Sequence, residues 1–341
     1  MKTFRANLDS GNEKLFIALL LISAILLSIA VTSAQVDALG IHFIRVQQEK
    51  VHLQMLQGTA GNPWQYRILA DLLVEPVIKL SSRLGIPQPD SFSFIAFRFL
   101  QNLFILIVAG IYYRKLGLQL PAILVGLSVL AWSMSNSLYN SDLSFNVFFD
   151  VAFYMLAAIL MLAEKFGWVV LLMILAAFNR ETSILIPFTL VCLFRFDKAR
   201  KGSFKSAAIA AAIGLIIYAI IFVGLRVYYG PQQFLTADGY YPGLGLLLLN
   251  LRRWVTWQQL LVTLGIVPLL AILAYRNWPP TLRIFFWTIV PVWVGVHFVA
   301  ALVAETRLML VPQALIFIPG ALLGIRASGE RAAQPSQATV A

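Results

Sequence analysis

Apolar residues run almost unbroken along this chain, in blocks of about 18–22 residues separated by short basic or polar joints. Such a block, wound as helix at 1.5 Å per residue, crosses a hydrocarbon core of roughly 30 Å. The pattern predicts spans near residues 15–34, 92–113, 116–135, 146–163, 205–227, 257–275, 282–303 and 308–325. The blocks are continuously apolar and do not alternate with period two, which excludes a transmembrane β-barrel.

One block, residues 167–196, is interrupted at its middle by Asn179-Arg180-Glu181-Thr182. Two helices of about 13 residues, rising and returning, account for it, and neither crosses a full core straight. The break is then expected below the outer surface, against protein or in a wet recess, where irregular backbone is tolerated. The expected fold is all-α, a polytopic transmembrane bundle of about ten passes, two of them short. Residues 1–326 form one membrane domain, with an outer loop at 35–91 and a disordered cytoplasmic tail at 327–341.

Within the outer loop, Asn62-Pro63 breaks helix, and residues 67–84 read as an amphipathic helix lying in the interface, with Ile68, Leu69, Leu72, Leu73, Val77 and Leu80 apolar. Trp64 reads as an interfacial anchor.

Composition sharpens this picture. Of 341 residues 60% are hydrophobic and 12% charged, against about 25% charged in a soluble domain. A soluble enzyme is excluded. The net charge of +11 does not argue for nucleic acid, since lysine and arginine collect in cytoplasmic loops. Lys2, Arg5 and Lys14 precede the first span and place the N-terminus inside. Arg114, Lys115, Lys165, Arg195, Lys198, Arg200, Lys201, Arg276, Arg283 and Arg326 then fall on the same side. The expected location is a bacterial plasma membrane, with the lipid bilayer as one partner. Cys192 is the single cysteine and forms no internal disulfide.

Ionisable residues inside apolar segments cost about 2.5–3.5 kcal/mol each on insertion scales and call for a partner or a function. They are Arg98, Asp150, Arg180, Glu181, Glu305 and Arg307, all toward the outer ends of their helices. Arg180 suits an anion because its rigid fork matches phosphate oxygens, with Glu181 expected to fix its rotamer. A start of the next helix near Thr182 would aim its amides at the same recess. An ion pair merely closing the helix break is the plainer account. Glu305-Thr306-Arg307 is a second acid–arginine set, readable either as an interfacial cap or as a second arm of a site for a dianion. Tyr66 and Arg67 stand at the same level. Asp37, directly after the first span, is a candidate general base, with Asp142 and Asp150 as rivals; Asp150 is also placed to pair with Arg98. Outer-loop aromatics (Tyr228, Tyr229, Tyr240, Tyr241, Trp254 and Trp257) read first as an interfacial belt.

His42, His52 and His297 lack metal-ligand spacing, and no phosphate-binding glycine loop, nucleophile elbow or dinucleotide fingerprint occurs. No cofactor is assigned. A divalent cation, magnesium or manganese, stays an open partner, since Asp37 alone makes a weak ligand set.

Taken together, an acid at Asp37, the run Tyr66-Arg67-Ile68-Leu69, the hairpin break Phe178-Asn179-Arg180-Glu181-Thr182 and Glu305-Thr306-Arg307, all on the outer side, resemble the GT-C superfamily of integral-membrane glycosyltransferases, in its small bacterial members. The resemblance implies transfer of a sugar from a polyprenyl-phosphate donor to a hydroxyl of a glycan, lipid or protein acceptor on the extracytoplasmic side. It implies Asp37 as base and Arg180 and Arg307 as phosphate ligands. Many members carry two adjacent acids where this chain has Asp37 between Val36 and Ala38. Two other functions suit the same pattern: a transporter or flippase for an anionic lipid or solute, because broken helices with midplane charge also serve transport, and a non-catalytic envelope-assembly protein.

Overall fold

The structure is a computed structural model that describes residues 10–139, 145–234, 236 and 239–332. Helices carry the architecture, and an isolated β-bridge joins Asn62 to Phe234. The helices are α1 (Ser10–Leu39), α2 (Ile41–Phe43, a wider turn at Ile44–Gln48, then Glu49–Gln57), α3 (Leu69–Arg83), α4 (Pro89–Lys115), α5 (Leu120–Asn136), α6 (Phe145–Leu162), α7 (Phe166–Asn179), α8 (Leu185–Phe196) and α9 (Phe204–Tyr229). They continue with α10 (Leu244–Arg252), α11 (Trp254–Leu264), α12 (Val267–Leu273), α13 (Pro280–Ala300) and α14, which joins Leu310–Pro312, a wide turn at Gln313–Phe317 and Ile318–Ala332.

Among the described residues six helices are long and apolar enough to cross a membrane, or seven when the bent pair α11–α12 counts as one. This is the architecture of a helical membrane protein. Each of the ten passes expected from sequence has a helical counterpart; α7, at 14 residues, and α8, at 12, are short as expected, but α5, at 17, also falls short of spanning length. The α14 helix also runs on to Ala332, into the stretch read as tail. The expected straight span at 257–275 is in fact broken. Gly265, at φ +60°, turns the backbone where an L side chain would be strained, and α11 and α12 meet at 73°.

Burial separates two classes of helix. In α6 and in the segment Thr306–Ala327, 72% and 78% of the apolar window is covered by protein; in α9 the share is 17%. The first two form the core, and α9 turns most of its apolar surface outward. The wide turn in α14 leaves carbonyls without their usual helical donors, and Tyr112 and Tyr113 of α4 donate their hydroxyls to Leu315 O (2.9 Å) and Ala314 O (3.0 Å). Gly320 is needed for a different reason: a Cβ there would meet the Trp278 ring at 2.6 Å.

In the outer loop, α3 forms as expected but uses a different face. Leu69, Ala70, Val74, Ile78 and Ser81 are buried, chiefly against α4, whereas Leu72, Leu73 and Leu80 are exposed. A helix apolar on both sides suits an interface, one stripe packed on protein and the other facing lipid. The buried His52 of α2 ties this helix down, with Nδ1 2.9 Å from Asp71 and Nε2 3.0 Å from Glu75.

Candidate functional site

The break after α7 is sharp because Arg180 is extended (φ −158°, ψ 153°) between helix and the tight turn Glu181–Ile184. Successive side chains at an extended residue point to opposite sides, so Arg180 and Glu181 diverge. The Arg180 guanidinium goes inward, donating from Nη1 to Asp150 Oδ2 of α6 at 3.0 Å. Asp150 also accepts from Asn179 Nδ2 (2.7 Å) and Thr182 Oγ1 (3.1 Å), so three donors satisfy one buried carboxylate. On the far side of the guanidinium lies His297 of α13. Its Nδ1 donates to the Trp293 carbonyl at 2.7 Å, which leaves Nε2 as acceptor 3.4 Å from Arg180 Nη2. Arg180 Nε has no hydrogen-bond partner among the described residues.

Two expectations are corrected here. Glu181 does not fix Arg180; Asp150 does, and Glu181 instead accepts from Arg67 at 2.9–3.0 Å and lies 3.6 Å from Arg226 of α9. Nor does Asp150 pair with Arg98, which lies buried with its guanidinium over the rings of Phe145 (4.5 Å) and Phe148 (5.5 Å).

The second arginine set forms where α13 ends. Buried Asn250 donates to the carbonyls of Phe298 (2.9 Å) and Ala301 (2.8 Å) and accepts from Val303 N (3.0 Å). This clamp fixes the chain leading into the tight turn Thr306–Met309. Arg307 Nη2 then donates to Glu305 Oε2 at 2.7 Å, and the Trp293 indole donates to Leu308 O at 2.6 Å. Trp64, from the tight turn Trp64–Tyr66, stands beside both outer arginines. Its ring centre is 5.6 Å from the Arg67 guanidinium and 5.8 Å from that of Arg307, within reach of cation–π attraction.

These elements line one cavity of about 190 Å³. Arg67, Arg180, Arg307, Glu305 and Trp64 line it, together with Thr236 from the loop after α9. Arg180 and Arg307 are both buried. A cavity walled by three guanidiniums and one carboxylate is suited to an anionic group that accepts several charge-assisted hydrogen bonds.

The other expected residues lie elsewhere. Asp37 is exposed on α1 and is not part of the cavity wall; the end of α1 is held toward α4 and α5, where Asn102 donates to Thr32 (3.0 Å) and Gln35 (3.2 Å), and Gln35 to Met134 O (3.3 Å). Tyr66 is buried beneath Arg226 and donates to Gly230 O at 2.8 Å. Asp142 lies outside the described residues. The amides of the turn after Arg180 take no part in the wall either. Sequence reasoning missed His297 and Asn250 and undervalued Trp64; the one legible signal was the position of Trp64, three residues before Arg67.

Among the described residues, no three His, Cys, Asp or Glu side chains are arranged to hold a metal ion. No protein-family model, curated protein or solved structure matches the chain.

Proposed function

We propose that the chain is a membrane glycosyltransferase that takes a sugar from a polyprenyl-phosphate carrier and passes it to an acceptor hydroxyl on the extracytoplasmic side. The observation that carries the reading is the cavity itself, with two buried arginines and a third at its rim facing one volume of about 190 Å³. Breaking the bond between sugar and phosphate leaves negative charge on the departing phosphate. Fixed donors already aimed at that charge stabilise it without reorganising. Arg180 is fixed by Asp150 and His297, Arg307 by Glu305 and Arg67 by Glu181. The acceptor hydroxyl must lose a proton, and Glu305 is the carboxylate on the cavity wall, while Asp37 is the base that the GT-C resemblance implies. The ten-pass topology and the bacterial plasma membrane belong to the same proposal.

A transporter or flippase of an anionic lipid or solute is the second reading, and the 73° break between α11 and α12 favours it, since paired helix breaks are a transport device. That second break carries no ionisable residue, unlike the first.

The deciding experiment gives purified protein in lipid nanodiscs a panel of polyprenyl-phosphate sugars, with and without magnesium, beside a vesicle assay for anion flux. Sugar transfer by the wild type that is lost in Arg307→Gln supports the proposal, and comparing Glu305→Gln with Asp37→Asn identifies the base. Flux with no transfer across the panel, or full transfer by Arg307→Gln, overturns it.

A further inference from the structure

A second feature, remote from the arginine cavity, is a long groove on the lipid-facing side of α5. Residues Ala122, Val125, Val129 and Trp132 follow one another at spacings of three and four, the signature of a single helical stripe, and Leu118, in the turn before α5, borders its first end. This stripe lines two open volumes in succession. The first, of about 560 Å³, lies against Leu322, Ile325 and Arg326 of α14; the second, of about 550 Å³, lies against Leu264–Val267 at the α11–α12 bend. Val125 borders both, so the two volumes adjoin along α5 as halves of one open groove.

The bend explains why the groove exists. The α11 helix packs on α5, where the Trp132 indole donates to Val262 O at 3.0 Å. At Gly265 the chain turns through 73°, and α12 packs on α14 instead. The lower face of α5 is left with protein on its flanks and none on top. From Ala122 to Trp132 the stripe runs about 15 Å at 1.5 Å per residue, the half-thickness of a hydrocarbon core of roughly 30 Å. Ser128, whose hydroxyl donates to Leu124 O at 3.0 Å, is the one polar residue along its middle, and the charge lies at one end, where Gln119 and Arg326 stand. Arg326 Nη1 donates to Gly117 O at 2.9 Å, which holds the guanidinium at the mouth, next to the Arg114 and Lys115 end of α4.

We propose that this groove is a binding site for an anionic glycerophospholipid of the cytoplasmic leaflet, with one acyl chain along α5 and the phosphate at Arg326. Two observations select that occupant over a protein partner. The lining is long and almost wholly apolar, and its one charge lies at an end, where a headgroup would sit. Basic pockets between helices on the cytoplasmic side take anionic headgroups by this arrangement. The proposal does not rest on the transferase reading.

The test reconstitutes the full chain in vesicles of phosphatidylglycerol mixed with phosphatidylcholine, extracts it in mild detergent and counts retained lipid by native mass spectrometry. The wild type should keep one phosphatidylglycerol per chain in preference to phosphatidylcholine. Arg326→Gln should cut that preference about fivefold, the size of one arginine near a lipid headgroup. Val125→Trp, which puts a ring at the junction of the two halves, should abolish retention of either lipid. Equal retention of both lipids by the wild type overturns the proposal, as does unchanged phosphatidylglycerol on Val125→Trp. Should Val125→Trp fail to fold, the phosphatidylglycerol preference of Arg326→Gln decides alone: a loss supports the site and an unchanged preference overturns it.

Discussion

Arg180 and Arg307 face the same cavity, yet their acids stand in opposite conditions. The Asp150 side chain is 1% exposed and that of Glu305 is 25% exposed. Asp150 is enclosed with its arginine and saturated by Asn179 and Thr182, so this pair is a structural unit that happens to present one edge to the cavity. Glu305 keeps contact with the cavity while it accepts from Arg307 at 2.7 Å. One acid is thus sealed into the fold together with its arginine, and the other stays within reach of whatever enters the cavity.

The largest effect should come from breaking the sealed pair. Asp150→Ala leaves a buried guanidinium without its counter-ion, a change that costs about 3–5 kcal/mol in comparable sites. Unfolding of the purified variant in mild detergent should show a large loss of stability or no folded protein at all. A variant as stable as the wild type would mean that His297 and water suffice to hold Arg180. Next comes Arg307→Lys, which keeps the charge and gives up the fork. Binding of a polyprenyl-phosphate donor should weaken about tenfold, or about 1.4 kcal/mol, with folding unchanged. Equal donor affinity would place the anion elsewhere. Smaller still is Glu305→Gln. The amide that replaces this partly exposed carboxylate still offers an oxygen to Arg307, so the unfolding midpoint should fall by less than in Asp150→Ala. A drop as large as that of Asp150→Ala would erase the distinction between the two sets.

Much of this arrangement was legible in the chain. The apolar blocks gave the helices because insertion in lipid leaves few alternatives to helix, and the rarity of charge in those blocks singled out Arg180, Arg307 and Asp150. What could not be read is which acid meets which arginine. Neighbours in sequence suggested Arg180 with Glu181, but an extended residue at the break sends them apart, and the true partner lies 30 residues away on α6. The same holds for Asn250 and His297, whose roles depend on three-dimensional closure of a turn and leave no local pattern. The groove along α5 was hidden for a related reason. Its stripe looks like any lipid-facing heptad until the bend at Gly265 removes the helix that would have covered it.

The smallest effect expected concerns the floor beneath Arg307. Trp64 lines the arginine cavity and also a second one, of about 50 Å³, whose wall includes His52 and Asp71. His52 is therefore linked to the Arg307 side, while Arg180 rests on α6 and α13. Burial alone would lower the His52 pKa, but hydrogen bonds to Asp71 and Glu75 outweigh it and raise the pKa above its ordinary value. The other groups around it are Lys79, which pairs with Glu75 at 3.0 Å, and the Phe94 ring of α4. With the folded pKa raised, the stabilisation from protonated His52 is complete below the ordinary histidine pKa of about 6.5. It fades as pH climbs through the raised folded value. Glu75, lowered chiefly by its hydrogen bond to His52, sets the opposite limit: its contribution holds above the ordinary glutamate range and is lost as pH falls through its lowered value. Hydrogen exchange over α2 and α3 should accordingly be slowest in mild acid, after correction for the intrinsic pH dependence, and His52→Gln should flatten that profile. Exchange around Arg180 should not follow it. If protection on α2 and α3 were equally flat in the wild type, the His52 link would not hold the outer loop; if the Arg180 hairpin moved in step, the two arginines would share one support after all.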